Sequence, residues 1–270
     1  MKKKLIFTTT LESMLEMKLN EPEKRMGVKI SINTLYYPGS NEKFIQAAKD
    51  VHKHFDININ YHELQMRHGA WMDEVIKQSS ADIVGFLDID CIPLTKEAIP
   101  NILKFVAKNK SIAGCAQATN HIPPMSHIFI APCCFFIWKP LWFALGSPSF
   151  METQRSDVCE EICYVAEANG VRMKALYPTH FEKEPEEGAW RLHNYGLYGV
   201  GTVFDNQFYH LYQSRFKTNV DMFIDRAKRV VKNKFSTKHM HVSTNFDFDG
   251  RICNFDQEKN LRTQIEGKLL

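Results

Sequence analysis

Two carboxylates one residue apart, Asp88 and Asp90, follow directly on the apolar run Ile83-Val84-Gly85-Phe86-Leu87. A run this short and this uniformly apolar reads as a strand buried on both faces, not as part of an amphipathic helix. Ligands of open α/β sheets bind where such strands end, so both carboxylates are expected to face a binding crevice. Two adjacent negative charges at the end of a core strand are costly unless compensated. A hard divalent cation supplies that compensation and can bridge to a diphosphate. A second pair, Asp247-Phe248-Asp249, lies among polar residues ahead of Gly250 with no apolar run before it, and reads as a turn.

The elements around this pair alternate between strand and helix, the pattern of a mostly parallel sheet covered by helices. Val28 to Thr34 reads as the first strand, ending at Tyr37-Pro38-Gly39-Ser40. Phe44, Ala47, Ala48, Val51 and Phe55 then share one helix face, with Ser40 or Asn41 placed to cap it. Ile57, Ile59 and Tyr61 alternate with polar residues as in a half-buried strand. A short helix around Trp71 to Gln78 precedes the central strand. Further strands are expected over Ser111 to Ala116, Ile128 to Trp138 and Val171 to Tyr177. Asp157 is placed to cap a helix bearing Val158, Ile162, Val165 and Ala166, Glu182 to Gly188 reads as a loop, and Val220 to Val231 carries a helical apolar stripe.

With 270 residues and 44% hydrophobic content the chain is long enough to bury a sizeable core. Its 34 basic and 31 acidic residues leave a net charge of only +3, so no strong field calls for nucleic acid. No run approaches the ~20 apolar residues of a membrane-spanning helix. The seven cysteines are scattered without metal-knuckle spacing and read as reduced thiols of a cytoplasmic protein. Cys159 and Cys163 would share a helix face, but no second ligand pair is spaced to join them. Basic residues from Arg226 to Lys238 read as a solvated face, with peripheral contact to anionic lipid as the alternative.

The segment Arg67-His68-Gly69-Ala70-Trp71, followed by Ala81 to Leu94 with its Asp88-Ile89-Asp90, resembles the donor-binding region of GT-A fold glycosyltransferases. The likeness extends more loosely from about Val28 to Arg215. It implies a GT-A α/β domain over 1–217, a helical extension over 218–270, and Mn2+ or Mg2+ held by Asp88, Asp90 and a histidine of a late strand. Phe208-Tyr209-His210-Leu211-Tyr212-Gln213-Ser214-Arg215 resembles that late segment, which makes His210 the candidate ligand and Arg215 a candidate for the donor phosphates. The end of the first strand, Thr34, Leu35 and Tyr36, corresponds to the pocket for base and ribose. A hydroxyl can bond there and a ring can stack, although plain turn chemistry explains the same residues. Arg67 is a candidate for ribose or phosphate, or equally a solvated arginine. Asp88 is expected to reach the ribose or the metal.

Ser147-Pro148-Ser149-Phe150 running into Arg155-Ser156-Asp157 resembles the turn that carries the catalytic base in inverting members. Asp157 is the candidate base, with Glu152 and Glu160 as substitutes; the competing role of Asp157 is the helix cap. Trp190 and His193 are candidates for acceptor contact. The expected activity is transfer of a sugar from a nucleoside-diphosphate sugar, with UDP as the nucleotide, to a hydroxyl of a glycan or other acceptor. Two readings of other classes stay open: a nucleotidyltransferase acting on sugar phosphates, and a non-catalytic sugar- or nucleotide-binding module. The first would normally carry a glycine- and lysine-rich phosphate loop, and Ser31 to Ser40 offers only Gly39.

Overall fold

The computed structural model describes residues 27–119, 127–186, 188–192, 195–214 and 216–243. His193, Arg215 and the Asp247-Phe248-Asp249 pair lie outside them, as does most of the expected 218–270 extension beyond Ser243. Residues that alternate or run apolar in the first half build a six-stranded sheet. Its strands are β1 (Ile30–Tyr36), β2 (Asn60–Glu63), β3 (Ile83–Leu87), β5 (Ile112–Ala118), β6 (Ile128–Trp138) and β7 (Lys174–Leu176), with β4 (Cys91–Pro93) leaving it. The order is β2-β1-β3-β6-β5-β7, and every pairing is parallel except the two made by β6. The expected α/β architecture with a mostly parallel sheet is the observed one.

Every residue of β3 is buried because the sheet is covered on both faces. Val84 and Phe86 face one layer, formed by Trp71, Met72 and Ile76 of α2 (His68–Gln78) and Ile162 and Cys163 of α5 (Glu160–Ala168). Ile83 and Leu87 face the other, formed by Ile99, Ile102 and Val106 of α3 (Ala98–Asn109). Helix α1 (Glu42–His54) starts where expected, with the Asn41 side chain accepting from the Lys43 and Phe44 amides at 3.0 and 3.3 Å. A short α4 (Lys139–Ala144) follows β6.

The second half departs from the sequence expectation. A five-stranded sheet of order β13-β8-β11-β12-β4 joins β4 to β8 (Pro178–Lys183), β11 (Val200–Phe204), β12 (Phe208–His210) and β13 (His241–Val242). β9 (Trp190–Arg191) and β10 (Leu197–Tyr198) form a separate pair. Glu182, expected in a loop, lies in β8, and the late strand that carries His210 is Phe208–His210. Helix α6 (Lys217–Val231) packs on α1, with Phe44 and Phe223 rings 4.6 Å apart. Arg226 is not on a solvated face: its guanidinium pairs with the buried Glu182 carboxylate and ties α6 to the second sheet.

Close backbone approach requires glycine at Gly69 and Gly114, among other positions. A Cβ at Gly69 would lie 2.7 Å from both Met151 Cα and Phe150 O, which fixes α2 against the 150–151 segment. A Cβ at Gly114 would lie 1.8 Å from the Cys134 carbonyl oxygen. Since backbone there cannot yield as a side chain would, Gly114→Ala is expected to destabilise the fold by about 3 kcal/mol or more, read from the denaturant midpoint. An unchanged midpoint would contradict the packing at this position.

A candidate metal and nucleotide site

Asp88, Ile89 and Asp90 form the connection between the two sheets, leaving the six-stranded sheet at β3 and entering the five-stranded one at β4. Backbone bonds pin this crossing at both ends. The Asp88 amide donates to Cys133 O at 2.9 Å, Cys91 N to Asp88 O at 2.9 Å, and Leu211 N to Asp90 O at 2.9 Å. Antiparallel pairing of β4 with β12 sets His210 opposite Cys91, beside the second carboxylate. One ligand atom from each of Asp88, Asp90 and His210 then lies within 4.8 Å of the others, with His210 Nε2 3.3 Å from Asp90 Oδ1. The three residues singled out from the sequence as metal ligands are brought together.

His68, which the sequence reading passed over in favour of its neighbour, completes the cluster. Its Nε2 lies 3.2 Å from Asp88 Oδ1, and its ring stacks on Trp71 at 5.5 Å. Burial holds this imidazole neutral, pushed down to about 4. Burial also pushes the Asp88 carboxyl well above the usual range, and the Asp90 charge and the Cys133 thiol push it further. His210 moves the other way from an ordinary buried histidine: burial lowers it, but Cys133 and Asp90 outweigh this and raise it well above 6.5.

Among the described residues, neither carboxylate has a lysine or arginine ion-pair partner. Two carboxylates and an imidazole match the donor preferences of manganese, and the carboxylates those of magnesium, so the residues present fit a divalent cation. A test follows from the Asp88 shift. Without metal, the unfolded state ionises at about 3.8 while the folded state keeps its proton, so the folded state binds more protons and Asp88 costs stability as pH rises through that interval. A bound cation removes that cost. The rise in Tm caused by Mn2+ should therefore grow as pH is raised above the ordinary carboxylate value, and this growth should vanish in Asp88→Asn. A metal-induced shift that does not vary with pH would count against Asp88 as a ligand.

The cluster opens into a cavity of about 600 Å³, in the size range of small-molecule sites. Leu35, Tyr36 and Tyr37 from the end of β1, His68, Asp88 and Asp90 of the cluster, and Ser214 and Lys217 from around the start of α6 all line it. Thr34 corrects the sequence expectation: it is fully buried, and its hydroxyl donates to Leu87 O at 2.7 Å, so it cannot reach a ligand. Arg67 does not line the cavity; it is exposed and pairs with Glu152. Lys217 was missed because it reads as an ordinary polar start of a helix.

The turn that resembles the base-bearing loop is held against α2. Ser149 Oγ donates to Asp73 Oδ2 at 2.5 Å and the Phe150 amide to Asp73 Oδ1 at 3.0 Å, beside the contact that requires Gly69. Asp157 does not cap α5, contrary to expectation. The helix begins at Glu160, after Cys159 in a left-handed conformation with φ 70°, and Asp157 Oδ1 accepts from Val158 N at 2.7 Å. Glu160 is fully buried and bonded to Thr119, His127 and the Asp157 amide, which removes it as a substitute base. Glu152 is engaged with Arg67. Asp157 is half-buried, and both it and Asp88 raise the Cys159 thiol electrostatically, after the larger effect of burial. Trp190 packs among Tyr198 and Tyr212 at 5.4 and 5.2 Å, and Tyr212 in turn meets His210 at 4.2 Å.

No protein-family model and no curated protein matches the chain. Solved structures similar to it include a mannosyltransferase from Pyrobaculum calidifontis in complex with GDP-Man and Mn2+, at 12% identity and a TM-score of 0.40, over 60% of each chain. A glycosyltransferase involved in glycosylation of the major capsid of PBCV-1 matches at 15% identity and 0.35, over 54% of this chain and 81% of that one. A CMP:2-keto-3-deoxy-manno-octonic acid synthetase complexed with CTP matches at 9% and 0.35, over 54% and 88%.

Proposed function

We propose that the chain is a metal-dependent glycosyltransferase that transfers a sugar from a nucleoside-diphosphate sugar, with UDP as the nucleotide, to a hydroxyl of a glycan or other acceptor, with inversion. The observation that supports this most directly is the meeting of Asp88, Asp90 and His210, with both carboxylates lining a cavity that Tyr36, Tyr37, Ser214 and Lys217 also line. In this reading Tyr36 and Tyr37 flank the nucleoside, and Ser214 and Lys217 contact the phosphates. Asp88, Asp90 and His210 would hold Mn2+ or Mg2+, which when bound supplies positive charge for the departing diphosphate. Asp157 accepts the proton of the acceptor hydroxyl as its oxygen bonds to the anomeric carbon and the bond to the diphosphate breaks. Attack on the face opposite the leaving group inverts that centre.

No helix among the described residues is long and apolar enough to cross a membrane. We place the enzyme in the cytoplasm on the strength of the free, buried cysteines among the described residues. Incubation with a panel of nucleoside-diphosphate sugars and Mn2+ tests the proposal. Release of free sugar and nucleoside diphosphate supports it. Pyrophosphate formed from a nucleoside triphosphate and a sugar phosphate would assign the site to nucleotidyl transfer, and tight binding without turnover would make it a binding module.

A further inference from the structure

Three strands distant in sequence bring thiols together immediately behind the carboxylate pair. Cys91 of β4, Cys115 of β5 and Cys133 of β6 each offer a sulfur within 4.8 Å of the other two. The Cys134 thiol interacts with both Cys91 and Cys115. All four are at most 2% exposed. Buried thiols usually serve as small apolar side chains, and scattered burial would need no further account. Here, however, the sheet gives up regular pairing to gather them.

Between the pairs Gly114↔Phe135 and Ala116↔Ile130, the single residue Cys115 stands opposite a bulge containing Ala131, Pro132, Cys133 and Cys134. Successive residues of a regular strand point to opposite faces, yet Cys133 and Cys134 belong to the same core layer, together with Cys91 and Cys115. His210 adds a second sign of an unfilled demand. Its Nδ1 is buried without a hydrogen-bond partner, and its ring interacts with the Cys133 thiol.

We propose that Cys91, Cys115 and Cys133 form a buried thiolate site for a zinc ion, with Cys134, which lies outside their 4.8 Å group, drawn in on binding as fourth ligand. Zinc favours four sulfur or nitrogen ligands in a tetrahedron, and Zn–S bonds of about 2.3 Å place neighbouring sulfurs roughly 3.8 Å apart, a spacing compatible with the observed cluster. Magnesium and calcium favour oxygen donors, so this site and the carboxylate site sort different ions. On binding, each ligating thiol releases its proton to solvent and gives a thiolate–zinc bond, without any change of oxidation state. Because the cluster is enclosed, the ion enters during folding and is shielded from chelators in the native state. Its function is to fasten β4, β5 and β6 behind the residues that hold the catalytic cation.

Full-length protein expressed with zinc in the medium and exchanged into chelator without denaturant is the material for the test. Elemental analysis should find about one zinc per chain, retained in Asp90→Asn and released when the protein is unfolded with chelator present. Refolding with cobalt in place of zinc should give the thiolate-to-metal charge-transfer absorption of a tetrahedral site, in Asp90→Asn as in the natural chain. Cys115→Ser should lose zinc at least about tenfold, whereas Cys163→Ser, a buried cysteine outside the cluster, should keep it. A native chain that carries no zinc after chelation, or zinc lost with Asp90→Asn, would overturn the proposal. So would cobalt protein without sulfur charge transfer. The metal content and spectrum of the natural chain decide the matter even if the Cys115 variant does not fold.

Discussion

Replacing Asp90 by asparagine is expected to reduce Mn2+-dependent turnover of a nucleoside-diphosphate sugar by roughly 1000-fold or more, the loss of several kcal/mol of charge stabilisation. The substitution keeps the size of the side chain and leaves intact the backbone bond from Leu211 N to Asp90 O, so β4 and β12 should stay paired. What it removes is the negative charge of the carboxylate whose Oδ1 lies 3.3 Å from His210 Nε2. Donor affinity should become insensitive to Mn2+ while thermal unfolding stays cooperative. The control is Asp247→Asn, which alters the same three-residue pattern without an apolar strand before it and should be nearly silent. Equal losses from both substitutions, or normal manganese dependence in Asp90→Asn, would remove the carboxylate pair from the site.

Why Asp88 and Asp90 were legible in the sequence while other site residues were not has a physical explanation. A strand buried on both faces must be apolar throughout, so Ile83–Leu87 announces itself, and charges at its end stand out. His210 was singled out only through the resemblance of Phe208 to Arg215 to a late glycosyltransferase segment, since a lone histidine in an aromatic strand is usually structural. The second sheet was not, because β4 and β12 are three residues each and acquire their meaning only by pairing with one another. The cysteine cluster was hidden for the same reason: ligands from three strands of a folded sheet leave no local spacing to detect. Thr34 failed differently. The strand expected to end there runs on to Tyr36, and the Thr34 side chain lies inside the sheet, where its hydroxyl donates to the Leu87 carbonyl. Arg67 attracted a phosphate-binding role on chemistry alone, whereas the helix start directs His68 toward Asp88 and leaves Arg67 to Glu152.

Asp157→Asn is the substitution expected to separate chemistry from binding, with kcat falling by about 10²- to 10⁴-fold and donor KM changing little. Three acids stand in this segment, and the structure distinguishes them. Glu160 is fully buried and saturated with hydrogen bonds from Thr119, His127 and the Asp157 amide, so no acceptor can reach it. Glu152 is open to solvent but held by Arg67. Asp157 is half-buried and follows a turn anchored to α2 through Asp73, on the side of the helix start that presents His68 to Asp88. Asparagine at this position retains an oxygen to accept from Val158 N, now at 2.7 Å, and it leaves the amide that donates to Glu160 untouched. The fold should therefore survive, and what is lost is the ability to take a proton. The anomeric configuration of the first-formed product, followed by NMR, should be opposite to that of the donor in the natural enzyme. Near-normal kcat in Asp157→Asn, combined with collapse in Glu152→Gln, would move the base to Glu152. Retained configuration would instead require a mechanism in which no residue of this turn acts as a base toward the acceptor.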